Sequence, residues 1–281
     1  MSRVDEVLAE ARGRLGASPT GFLDAELLLA HVLERARTWL HAWPEARIAA
    51  SAVEHYTNLV ERRAAGEPVA YLLGEREFHS LAFEVTPDVL IPRPETEQLV
   101  ALALDHLHAR GPSEPRVLEL GTGSGCVAVT IAHARPDARV TAIETSAAAL
   151  AIAQRNAARH GVVNVEFRTG AWFGPVERQH FDAIVSNPPY VASDDPRLGS
   201  GDVRFEPVAA LDGGRNGLDA LREIAAGAPH HLAAGGLVAV EHGANQGQAV
   251  AALFMAEGLT GVATHADDAG WPRVTSARAR G

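Results

Sequence analysis

Five short apolar runs in the latter part of the chain constrain its fold more than any other feature. They are Arg116 to Leu120, Arg139 to Ile143, Val165 to Phe167, Phe181 to Val185 and Gly236 to Val240. Each reads as a strand, and stretches with helical periodicity separate most of them. Strands alternating with helices imply a doubly wound, mostly parallel sheet, an α/β architecture. Ligands of such sheets bind beyond the carboxyl ends of the strands. The residues that follow each run are therefore the candidates for a site.

The first run leads into Gly121-Thr122-Gly123-Ser124-Gly125 and then an apolar helix from Cys126. Glycines permit a sharp turn and close approach of a ligand to the backbone. The spacing is not that of a dinucleotide fingerprint, and a phosphate loop is excluded because the chain has no lysine. About twenty residues on, the second run ends at Glu144, where doubly wound sheets hold ribose hydroxyls. Ala171-Trp172-Phe173 follows the third run, and the Trp172 ring is suited to an adenine face. Taken singly, each has a plainer explanation: a tight turn, a solvated carboxylate, a core aromatic. Together they describe an adenosyl pocket.

The fourth run ends in Ser186-Asn187-Pro188-Pro189-Tyr190, in the same crevice. The prolines stiffen the backbone and remove two N–H donors. What remains is a set of acceptors, the Asn187 side-chain carbonyl and the Pro188 backbone carbonyl, beside the Tyr190 ring. Such a group suits an NH₂ on a planar system, because two acceptors can take both N–H bonds and orient the nitrogen.

Residues 1–75 have a different texture. Ala, Leu, Glu and Arg dominate, with helical spacing, and Pro44 and Gly66-Glu67-Pro68 break the segment. A small helical bundle is expected, with Asp24 as an N-cap. Its His31, His41 and His55 show no metal-ligand spacing. Residues 76–93 read as a hairpin linker, and residues 94–281 as the α/β domain. Pro94 suits a first helical position, with Glu95 and Glu97 in the first turn. His230-His231 reads as a loop pair.

Composition narrows the class. The net charge is −10, and all 25 basic residues are arginine, without a basic run. That argues against tight binding to a duplex backbone. No apolar run reaches the roughly 18 residues of a membrane span, and the charged N-terminus does not read as a signal peptide. One cysteine, Cys126, excludes an internal disulfide framework. A cytoplasmic protein is expected.

Several motifs in their order resemble a single family, over nearly the whole chain. They are GEPVAY (66–71), REF (76–78), LIPRPETE (90–97), GTGSG (121–125), NPPY (187–190), DVRFEP (202–207), EHG (241–243) with Gln246, and Arg273-Val274. The family is the release-factor glutamine N5-methyltransferases, HemK/PrmC. The resemblance implies a class I S-adenosylmethionine methyltransferase fold, Rossmann-like, behind a helical substrate-recognition domain. It implies S-adenosyl-L-methionine as donor, S-adenosyl-L-homocysteine as product, and no metal. The acceptor would be the glutamine of the Gly-Gly-Gln motif of class-1 peptide chain release factors, without direct contact to nucleic acid, and the protein a monomer. By position, Gly121, Thr122, Gly123, Ser124 and Gly125 would line the methionine and ribose side, Glu144 would take the ribose hydroxyls and Trp172 would border the adenine. Asn187, also at the cofactor, would bind the target amide, with Pro188, Pro189 and Tyr190 completing its catalytic pocket. Arg93 and Glu206 would support this site, by a salt bridge or more directly. Glu119 and Glu144 stand where the family often has Asp, and Ala171 where an acid often precedes the Trp. An amino-methyltransferase of adenine or guanine remains the alternative, because the same motif can hold an exocyclic NH₂.

Overall fold

The computed structural model of the chain describes residues 2–16, 18–111 and 113–281. Met1, at which the expected N-terminal domain begins, lies outside the described residues, as do Ala17 and Pro112. The chain divides into two compact units, residues 1–75 and 76–281.

The first unit contains β1 (Ser2–Arg3), α1 (Val4–Leu15), α2 (Gly21–Leu33), α3 (Arg37–Ala42), β2 (Arg47–Ile48), α4 (Ala50–Ala64) and α5 (Val69–Leu73). Val4, Val7, Leu8, Ala11 and Leu15 recur at helical spacing and bury one face of α1 against Leu28, Leu29, Tyr56 and Leu59. Asp24 is not the cap of α2. The helix begins a turn earlier, at Gly21, where a Cβ would lie 2.2 Å from the Leu15 carbonyl oxygen. Asp24 is instead buried inside the helix and accepts hydrogen bonds from Thr20 Oγ1 (2.9 Å) and Arg63 Nε (2.8 Å).

A hairpin, β3 (Glu75–Phe78) and β4 (Leu81–Glu84), starts at the last residue of the first unit and otherwise belongs to the second. Residues 76–93 do not stand apart as a linker. Phe78 and Phe83 are buried in one core with Leu99, Val127 and Val185. The buried Asn156 side chain ties this segment to the glycine loop. It accepts from the Glu84 N–H (2.7 Å) and donates to the Glu84 and Ser124 carbonyls (3.0 and 2.8 Å).

A 3₁₀ turn at Pro94–Thr96 precedes α6 (Glu97–Arg110). There follow β5 (Arg116–Leu120), α7 (Cys126–Ala134), β6 (Arg139–Glu144), α8 (Ala147–Arg159), β7 (Val165–Thr169), β8 (Phe181–Ser186), α9 (Asp219–His231), β9 (Leu232–Glu241), α10 (Gly247–Ala256), β10 (Thr260–Ala266) and β11 (Pro272–Arg278). The sheet order is β10-β11-β9-β8-β5-β6-β7. The strands from β9 to β7 are parallel, and β10 and β11 add an antiparallel edge. The order reverses between β5 and β8, which opens the crevice where such sheets bind ligands. His230 and His231 form the end of α9 rather than a loop, and His231 stacks on Phe173 with ring centroids 4.6 Å apart.

Candidate active site

The glycine loop leaves β5 with Gly121, Gly123 and Gly125 at φ of 73°, 54° and 81°. The left-handed conformation favours glycine at each, but the three face different surroundings. A Cβ on Gly125 would lie 2.9 Å from the Ala153 Cβ, so this residue packs the loop onto α8. Nothing lies within 4 Å of a Cβ built on Gly121 or Gly123. Both line a cavity of about 300 Å³, together with Thr122, Ser124, Glu144, Trp172, Asn187 and Pro189. Among the sequence-derived candidates, Gly125, Pro188 and Tyr190 do not line it. Pro188 is buried, and Tyr190 lines a second cavity of about 160 Å³. Asn187 lines both cavities.

Two acids serve the glycine loop. Glu144 Oε2 accepts from the Gly123 N–H (2.9 Å), and its Oε1 accepts from the N–H groups of Thr145 (2.8 Å) and Ser146 (3.0 Å). A carboxylate has about four acceptor positions, so Glu144 Oε2 retains capacity at the cavity. The longer acid thus reaches back to the loop. Glu119, at the end of β5, is buried and also lines the cavity. Its Oε2 accepts from Thr122 Oγ1 and from the Ala128 N–H (3.0 Å). Burial pushes the Glu119 carboxyl up to about 8, against these two donations, and the Glu144 charge adds to the rise. A cation beside it would restore the ionised form.

Ser186 joins the two halves of the crevice, its Oγ donating to the Leu120 carbonyl at 2.7 Å. Asn187 Nδ2 donates to Thr96 Oγ1 at 3.1 Å, while Asn187 Oδ1 accepts no hydrogen bond among the described residues. Tyr190 Oη donates to Glu241 Oε1 at 3.0 Å. Burial, reinforced by the Glu241 charge, pushes the Tyr190 phenol well above its ordinary value. Gln246 Nε2 donates to the carbonyls of Tyr190 (3.0 Å) and Gly217 (3.1 Å). A Cβ on Gly217 would lie 2.2 Å from the Tyr190 carbonyl oxygen, so the 213–217 loop braces this segment by close backbone approach.

Arg93 lines the second cavity and pairs with Glu206. The buried Glu206 also accepts from the Ile91 N–H at 3.0 Å. The pair therefore fastens the segment around Ile91 to the one around Glu206. Among the described residues, no three His, Cys, Asp or Glu side chains cluster as metal ligands.

The sequence alone assigns Thr96, Ser186 and Glu241 no role at the site, and marks Glu119 only as standing where the family often has Asp. The signal for the two acids was present: each is a lone carboxylate in an otherwise apolar strand, in Leu118-Glu119-Leu120 and Val238-Ala239-Val240-Glu241. A buried strand admits such a charge only with partners.

A family model described as the PrmC N-terminal domain matches residues 6–74, and one described as the methyltransferase small domain matches residues 96–199. The chain is 52% identical to the release factor glutamine methyltransferase of Xylella fastidiosa (strain Temecula1), over 92% of this chain and 94% of the relative. It is 48% identical to the protein of the same name from Burkholderia pseudomallei, over 97% of each. Among solved structures, a methyltransferase from Pyrococcus furiosus aligns with a TM-score of 0.54 and 20% identity, over 80% of this chain and 99% of that one. This last likeness carries the fold alone; together with the matched methyltransferase small domain and the sheet order, the fold is that of the class I S-adenosylmethionine-dependent methyltransferases.

Proposed function

The chain belongs to the release factor glutamine methyltransferase family, and on that premise we propose how its site performs the reaction. It methylates a glutamine side-chain nitrogen of a release factor, specifically the glutamine of the Gly-Gly-Gln motif of class-1 factors. S-adenosyl-L-methionine, when bound, supplies a methyl carbon made electrophilic by its sulfonium and leaves as S-adenosyl-L-homocysteine.

The residues of the larger cavity fit that donor. Gly121 and Gly123 leave open space where any side chain would project. Glu119 offers a buried carboxylate to the donor's ammonium, Glu144 retains acceptor capacity for ribose hydroxyls, and Trp172 borders the adenine. Thr122 and Ser124 complete the loop, while Gly125 holds it against α8.

Asn187 Oδ1 and the Pro188 carbonyl accept the two N–H bonds of the target amide. An amide nitrogen is a weak nucleophile because its lone pair is delocalised. Orientation and stabilisation of the positive charge growing on it are therefore what the protein supplies. No strong base is needed beforehand; the proton leaves the nitrogen afterwards. Pro189 and Tyr190 shape the pocket. The observation that carries this reading is the place of Asn187, which lines both the larger cavity and the smaller one beside Tyr190.

The helical unit recognises the body of the release factor. It presents Phe22 and Trp43 at 65% and 60% exposure, apolar surface available for a protein partner. The enzyme works as a monomer in the cytoplasm and needs neither metal nor direct contact with nucleic acid. Mass spectrometry of a release factor incubated with the chain and the donor tests the reading. One added methyl on the Gly-Gly-Gln glutamine is expected. An unmodified release factor beside methylated RNA or DNA would transfer the assignment to a nucleobase amino group.

A further inference from the structure

Four side chains, two in the acceptor pocket and two supporting them, form one hydrogen-bonded series. Asn187 Nδ2 donates to Thr96 Oγ1 (3.1 Å), Thr96 Oγ1 donates to Glu241 Oε2 (2.6 Å), and Tyr190 Oη donates to Glu241 Oε1 (3.0 Å). Thr96 and Glu241 are 2% and 1% exposed. The reaction as described above uses neither.

The direction of each bond follows from the inventory of protons. An ionised carboxylate only accepts, and a hydroxyl has one proton to give. Glu241 takes that proton from Thr96, so the threonine oxygen presents lone pairs to Asn187. Lone pairs accept an N–H and repel a carbonyl oxygen. The Asn187 NH₂ must therefore face Thr96, which turns Oδ1 the other way. The two ends of a carboxamide are nearly identical in shape, and packing alone discriminates between them poorly.

We infer that Glu241 and Thr96 are positioning residues that decide which end of the Asn187 carboxamide meets the substrate amide, by passing hydrogen-bond direction outward from a buried carboxylate. This inference rests on the assignment of Asn187 as the acceptor of the glutamine N–H bonds. With Asn187 turned over, its NH₂ would confront an NH₂ that also brings only donors, and the orienting contact would be lost. Tyr190 occupies the other oxygen of Glu241, so both carboxylate oxygens are engaged by donors.

The arrangement carries a pH signature. Burial raises the Glu241 carboxyl to about 6, although both hydroxyl donations oppose the rise. The titratable and charged groups around it are Tyr190 beyond β8, Glu95 in the turn before α6, Arg273 on β11, Cys126 at the start of α7 and the adjacent His242, whose imidazole is held below its ordinary value by burial. Burial lifts the Tyr190 phenol and the Cys126 thiol far above neutrality, so neither titrates here. Once protonated, Glu241 can donate to Thr96. Thr96 can then turn its own proton toward Asn187, and the carboxamide loses its enforced orientation. The constraint is present above the Glu241 pKa and is lost as pH falls through it.

The test uses the full chain with a release factor and the methyl donor, measuring kcat and KM from about pH 5 to about pH 8, the span over which a group of this kind titrates. S-adenosyl-L-homocysteine affinity and thermal unfolding are measured separately. Wild-type kcat should show an acid limb near the Glu241 pKa. Glu241→Gln should lower kcat roughly tenfold to a hundredfold, the loss expected when an orienting contact goes, and should abolish the limb. A glutamine amide presents either end to Thr96 and does not titrate. Thr96 also lines the larger cavity, so the readout is kcat at saturating donor: Thr96→Val should show a similar loss and Thr96→Ser should recover most of it. If Thr96→Val does not fold, the Thr96→Ser and Glu241→Gln pair decides. A Glu241→Gln enzyme that keeps wild-type kcat or the wild-type acid limb overturns the inference while leaving the assigned reaction intact, as does a Thr96→Val enzyme as active as Thr96→Ser. A wild-type enzyme that never methylates the release factor overturns the reaction and the inference together.

Discussion

The two cavities we assign to donor and acceptor lie at adjacent strand ends and are built in different ways. At the larger cavity, backbone does most of the shaping: a glycine loop with left-handed φ angles, one residue pressed onto α8 and two opening onto the cavity. On the acceptor side, side chains are held by other side chains, with Asn187 on Thr96 and Tyr190 on Glu241. The difference follows from what each half must do. A cofactor pocket needs close approach, which the absence of a Cβ provides. An amide to be methylated needs a directed acceptor, and direction has to be imposed from behind. A change in one half should therefore fail in a way that a change in the other does not.

The largest separation is expected from Asn187→Ala. Loss of a preorganised polar group at a developing charge costs about a hundredfold to a thousandfold in rate, and kcat should fall by that order. Affinity for S-adenosyl-L-homocysteine, measured by calorimetry, should change far less. Comparable losses in both would erase the division between the halves.

Gly121→Ala should give the reverse pattern with a smaller effect. The added Cβ meets no protein atom within 4 Å, so the fold loses only the strain of a left-handed alanine, about 1 to 2 kcal/mol. The methyl group does project into the space assigned to the donor. Overpacking of about 1 to 3 kcal/mol corresponds to roughly fivefold to a hundredfold in Kd, while kcat at saturating donor should stay near wild type. Unaltered donor affinity would remove Gly121 from the binding surface.

How much of this was legible in the sequence depended on how far the interacting residues lie from one another along the chain. The glycine loop and residues 187–190 each act within a few neighbours, and both lie at strand ends as their patterns imply. The support behind them spans 91 residues from Thr96 to Asn187 and 145 from Thr96 to Glu241, which no spacing rule reaches. Asp24 had the chemistry of a cap, but the start of α2 is set by contact between Gly21 and the end of α1. Strands β10 and β11 were not among the five runs. β10 forms a sheet edge, carries no continuous apolar run, and pairs with β11 through register shifts. The phenylalanines of the hairpin look the same in sequence whether they cap a linker or enter a core. Their burial with Val127 and Val185 became visible only in the fold.

The measurement closest to the central claim is a crystal structure of the chain with S-adenosyl-L-homocysteine and a glutamine-bearing segment of a release factor. Asn187 Oδ1 and the Pro188 carbonyl should each accept one N–H of the glutamine amide, with Asn187 Nδ2 still donating to Thr96. A glutamine bound elsewhere, with Asn187 rotated away from the product's sulfur, would contradict that claim.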